Sequence, residues 1–169
     1  MKTPSNSSSR AASSFPLPNL LKSLSMSISD LPTRVIFFQV RDTKLKLQRL
    51  AEMTQTHFEK RDPFIIFVED IKAQTFVDDL LWKLPETSFL PHTATDDTTK
   101  DLVAITKSKT NVNQARSAFN LCPTPLLLEG PLRLIYDFED LTSPSKKELS
   151  SLRFDAYKQA HYLIEAVTA

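Results

Sequence analysis

The sequence predicts an α/β fold on a mostly parallel sheet of about five strands, and three observations carry that prediction. Short β-branched and aromatic runs alternate with longer stretches whose apolar residues recur at helical spacing. A strand, helix, strand, helix order requires crossovers, which make the strands parallel and cover the sheet with helices. With 169 residues, 41% of them hydrophobic, the chain is long enough for one ordinary domain with its own core.

Residues 1–30 are serine-rich, with Lys2, Arg10 and Lys22 but no acid before Asp30, and predict a disordered extension. Such a basic, acid-free composition also resembles an organelle transit peptide. The apolar fragment at Leu17, Leu20, Leu21 and Leu24 is too interrupted for a membrane span. The domain proper is expected over residues 31–169. Val35-Ile36-Phe37-Phe38-Gln39-Val40 reads as a strand buried on both faces. A helix follows, capped by Asp42 or Thr43, burying Leu47, Leu50, Ala51, Thr54 and Phe58 and keeping Lys44, Lys46, Arg49 and Glu52 wet. Arg61-Asp62-Pro63 ends it. Residues 64–68 form a second apolar strand, and Asp70 opens a helix with a stripe of Phe76, Val77, Leu80, Leu81 and Leu84. Pro85 stops that helix and begins a stiff corner that presents Phe89.

Residues 93–100 read as a polar loop, 102–106 as a strand, 117–122 as a fourth and 132–138 as a fifth. Leu126-Leu127-Leu128 sits in a connector, with one helical turn as the alternative. The last helix is expected to start at Ser145-Lys146-Lys147-Glu148, which has capping-box spacing, and to bury Leu149, Leu152, Ala156, Leu163 and Val167.

Composition excludes several functions. The single glycine, Gly130, leaves no phosphate-cradling loop of the dinucleotide or P-loop kind. A net charge of +1 gives no global attraction to nucleic acid, although Lys107, Lys109 and Arg116 keep direct binding open as an alternative. One cysteine, Cys122, makes no internal disulfide and points to a reducing, cytoplasmic compartment. His57, His92 and His161 have no metal-ligand spacing, and no acid and base pair into catalytic machinery, so no metal, cofactor or catalytic residue is expected. A small nucleotide-binding or enzymatic α/β module is the alternative class.

The block Leu81-Trp82-Lys83-Leu84-Pro85-Glu86-Thr87-Ser88-Phe89-Leu90-Pro91-His92 holds the only tryptophan. It resembles the Leu-Trp, Pro, Ser-Phe-x-Pro-His pattern of the chi subunit of bacterial DNA polymerase III. Residues 149–158 resemble the family's last helix, with Ser151 and Asp155 standing where the family is basic. The resemblance implies a Rossmann-like, three-layer α/β/α, noncatalytic subunit of the clamp loader that contacts DNA only indirectly and no membrane. It implies two partners: the psi subunit, and the acidic, apolar-ended tail of single-stranded-DNA-binding protein. The implied tail pocket falls on Phe89, Lys147, Arg153, Phe154, Tyr157 and Lys158. Leu81, Trp82 and Pro85 are the implied psi-interface candidates.

Overall fold

The computed structural model describes Ser27, residues 30–84, Glu86 and residues 89–169. All that follows concerns the unit Pro32–Ala169. The extension expected over residues 1–30 falls outside the described residues except for Ser27 and Asp30.

Seven strands form one parallel sheet in the order β3-β4-β2-β5-β6-β1-β7. They are β1 (Arg34–Val40), β2 (Phe64–Phe67), β3 (Thr93–Ala94), β4 (Val103–Thr106), β5 (Ser117–Asn120), β6 (Leu134–Asp140) and β7 (Leu163–Thr168). The helices are α1 (Thr43–Glu59), α2 (Ile71–Lys83) and α3 (Pro144–Gln159). The predicted α/β class holds, with two more strands than expected. β3 lies inside the stretch read as a polar loop, and β7 replaces the expected end of the last helix. The 126–128 run is neither strand nor helix.

Crossover direction explains the layers. The connections through α1 and α2 run toward the β3 edge, whereas α3 runs toward the β7 edge, and right-handed crossovers then place α3 on the opposite face. Two core clusters match those faces: Leu50, Val77 and Leu81 with Phe38 and Phe138 on one, and Tyr157 with Val35, Phe37 and Ile135 on the other. On α3's face, the loops between β4 and β5 and between β5 and β6 stand in for helices by burying Val112, Ala115, Leu126 and Leu132.

Asp42 caps α1 and Asp70 caps α2. The stripe expected on α2 needs correction: Phe76 is 55% exposed, and Gln74 is buried instead, donating to the Ile105 carbonyl at 2.9 Å. On α3, the cap is Ser143 with Pro144 in the first turn, and the buried face is Ser150, Arg153 and Tyr157, while Leu149 and Leu152 are exposed. The helix turns that face inward because its polar groups have a partner there, the buried Asp137 on β6. It ends at Gln159, and two residues on His161, with a φ of 62, turns the chain in the left-handed region usually given to glycine.

Lys46, expected to be wet, folds onto Asp140, with Nζ and Oδ2 2.7 Å apart. Burial raises the Asp140 carboxyl, but hydrogen bonds from Lys46 and from the Thr142 hydroxyl and amide outweigh it and hold it down to about 2. A folded value below the unfolded one stabilises the protein above about pH 4, and that contribution is lost as pH falls toward 2. Asp140→Asn should therefore cost about 1–2 kcal/mol at neutral pH and make the acid limb shallower between pH 4 and 2. Urea unfolding against pH measures both. The limb does not vanish, because Asp96 is also held down to about 2, first by its hydrogen bond from Lys107.

Candidate docking surfaces

Arg153 and Tyr157, two of the expected pocket residues, are interior groups. The Asp137 side chain is fully buried, and Arg153 Nε donates to its two oxygens at 3.1 and 3.2 Å. Arg153 also donates to the Phe138 carbonyl at 2.9 Å. The Tyr157 hydroxyl donates to Asp137 Oδ2 at 2.8 Å and accepts from Asn120 Nδ2 and from the Leu126 amide, each at 3.1 Å. Burial pushes the Asp137 carboxyl up, and the charge and hydrogen bonds of Arg153 oppose the rise. Burial and then the Asp137 charge push the Tyr157 hydroxyl well above its ordinary range. The network fastens α3 to β6 and to the connector after β5, so in this structure both side chains are committed to interior contacts and neither lines the groove described next.

Phe154 stays on the surface of α3, 37% exposed, with its ring edge-on to Phe37 of β1 at 5.8 Å. Beside it runs a groove of about 240 Å³ between α3 and β7, floored by Phe37 and Ala166 and walled by Phe154, Ser151 and Lys147. Glu139 lines one side, its Oε2 accepting from Gln39 Nε2 at 3.0 Å. Among the described residues lining the groove, Lys147 is the one cation. Ser151, Phe154, Asp155 and Lys158 follow Lys147 by four, seven, eight and eleven positions, so all five share one stripe of the helix. Lys158 is exposed.

Phe89 is not brought to this groove. Its ring, 72% exposed, lies 5.4 Å from that of Trp82 on α2, which packs on the other face and leads to the opposite sheet edge. Trp82 is itself 50% exposed and rests on His92 at 4.4 Å between ring centroids. The His92 side chain is buried, its Nδ1 2.7 Å from the Leu90 carbonyl, so the tryptophan has a fixed support. A cavity of about 350 Å³ beside the ring is lined by Phe58, Pro91 and Leu102 among others. Leu81 is 1% exposed and packs in the core beneath this corner. Pro85 lies outside the described residues.

The carboxyl ends of the strands, where open α/β sheets commonly take ligands, hold a cleft of about 410 Å³ past β2, β4 and β5. Its Lys107 is committed to an ion pair with Asp96. Cys122 lines it half-buried, and burial raises its thiol to about 11, so it is not a thiolate near neutral pH. Among the described residues, no group of three or more His, Cys, Asp or Glu is placed to hold a metal ion, and no helix is long and apolar enough to cross a membrane.

The reading of sequence alone missed Phe37, Glu139 and Ala166 as groove residues, and Gln39 as the partner of Glu139. Strand alternation puts Phe37, Gln39 and Glu139 on one face, but only the topology brings β7 and α3 beside them.

Comparison with curated proteins returns no match. The family described as DNA polymerase III chi subunit, HolC, matches residues 33–165, from the threshold of β1 into β7. The chain therefore belongs to the DNA polymerase III chi subunit family, whose members are accessory subunits in DNA replication.

Proposed function

We propose that this protein is a noncatalytic, cytoplasmic adaptor that links the clamp loader, through psi, to the tail of single-stranded-DNA-binding protein. The observation that carries the tail half is the meeting of Lys147 and Phe154 in one apolar groove. An acidic tail with an apolar last residue needs both features: a small apolar recess for the side chain and a cation for the carboxylate. The psi half is supported by the exposed Trp82 ring on the buried His92 side chain, with the exposed Phe89 ring against it. Exposed aromatics on a rigid support are typical interface anchors.

The groove is electrostatically mixed. Lys147 attracts a carboxylate, whereas Glu139 and Asp155 repel acids further along the tail, so attraction is weaker than an all-basic groove would give. Titrating the full chain with a synthetic acidic peptide ending in an apolar residue tests the proposal. Phe154→Ala should raise Kd by about tenfold or more, and Lys147→Ala by about two- to fivefold at low salt. Absence of binding at low salt, or binding indifferent to both substitutions, would overturn the tail half.

A further inference from the structure

β7 closes one end of the sheet and, among the described residues, bonds only to β1. Its pairing fixes which groups face outward. The Leu163 amide donates to the Thr33 carbonyl at 2.9 Å and the Ala169 amide to the Gln39 carbonyl at 3.2 Å, so odd-numbered residues direct their amides and carbonyls at β1. Ile164, Ala166 and Thr168 consequently turn both groups to the outside. Side chains alternate in the same way. Ile164 packs with the cluster beneath α3, whereas Val167 and Ala169 pack on the other face. Ala166 thus carries an outward amide and carbonyl and also lines the groove. An open strand edge and an apolar recess meet at this residue.

We infer that the groove receives its occupant as an eighth strand. An extended C-terminal segment of the partner lies along β7 and hydrogen-bonds through its main chain to Ala166 and Thr168. Its last apolar side chain enters between Phe37, Phe154 and Ala166, and its terminal carboxylate meets Lys147. This rests on the tail-docking reading above and specifies how that tail binds. Strand addition takes affinity from the main-chain bonds and specificity from the side-chain recess. The edge is open to it: β7 carries neither proline nor lysine, the usual devices that blunt an edge strand. A second copy pairing antiparallel about Glu165 would set two Glu165 side chains opposite each other, an unfavourable like-charge contact. A chain end carrying a carboxylate instead complements Lys147.

Amide exchange followed by NMR on the full chain, with and without the synthetic acidic peptide, tests the inference. The Ala166 and Thr168 amides should slow by about tenfold or more at saturation, whereas those of Glu165 and Val167, already bonded to β1, should change little. Ala166→Pro removes the outward amide without deleting a bond to β1 and should weaken peptide binding by about five- to tenfold. Its thermal midpoint, measured alongside, shows whether the sheet survives, and if it does not, exchange in the unsubstituted protein decides. Peptide binding that is lost in Phe154→Ala but leaves the Ala166 and Thr168 exchange rates unchanged overturns strand addition while tail docking stands. No binding of the peptide at all overturns both.

Discussion

Arg153→Ala should lower the free energy of unfolding by about 3–5 kcal/mol, because it leaves the fully buried Asp137 carboxylate without its cation. The neighbours do not replace it. Tyr157 and Asn120 each give Asp137 one neutral hydrogen bond, and the Phe138 carbonyl loses its donor as well. Total stability for a domain of this size is about 5–15 kcal/mol, so the loss is a large share of it. Urea unfolding measures the change, and the same variant separates the two roles considered for this residue. If Arg153 is structural, the folded fraction at low temperature binds the acidic peptide with nearly unaltered affinity. Stability within about 1 kcal/mol of the unsubstituted protein, together with lost peptide binding, would return Arg153 to the docking surface.

Trp82→Ala should weaken the proposed complex with psi by about 2–4 kcal/mol, roughly thirty- to a thousandfold in Kd. The ring offers a large, half-exposed area, and its support is rigid because the buried His92 is fixed by the Leu90 carbonyl and by Asp78. A preorganised aromatic loses little side-chain freedom when a partner covers it. Co-purification gives the qualitative result and calorimetric titration the magnitude, with thermal unfolding as the control. An unchanged affinity would remove Trp82 as an anchor and leave the psi half without its main support.

The fold was legible where burial leaves one reading of a segment. β1 and β2 are almost continuously apolar because neighbours cover both faces, and Asp42 and Asp70 announce the helices that follow. β3 was hidden because two polar-flanked residues on an edge carry no periodicity. β7 was hidden for a different reason: Leu163 continues the helical spacing of Leu149, Leu152 and Ala156, so the pattern runs on where the chain turns. The turn uses His161 in a left-handed conformation, and no glycine marks it. The β-branched Ile164, Val167 and Thr168 were the available signal.

The site was legible to the same extent as its chemistry is local. Lys147 and Phe154 sit on one helical stripe and meet in one groove, as spacing implies. Arg153 and Tyr157 read as surface groups because arginine and tyrosine usually are, yet a signal against it was present. Asp137 interrupts the apolar run of β6, and an acid inside a strand covered on both faces needs a buried cation. That requirement, more than leucine spacing, sets the rotation of α3. Phe89 lies beside Trp82 and apart from the groove, because its place in the chain does not set which sheet edge it joins.

The opposite placement of the two surfaces has a consequence for how such an adaptor works. The Trp82 corner belongs to the β3 side and the Phe154 groove to the β7 side, on opposite faces of the sheet. Six strand spacings make the sheet about 29 Å from edge to edge, an upper bound on the separation along it. Hydrogen-bonded strands in one sheet do not stretch, so on the proposed reading the protein would act as a ruler between the two occupants. Two occupants held on opposite faces neither collide nor share a contact, and each should bind with the same affinity whether or not the other is present.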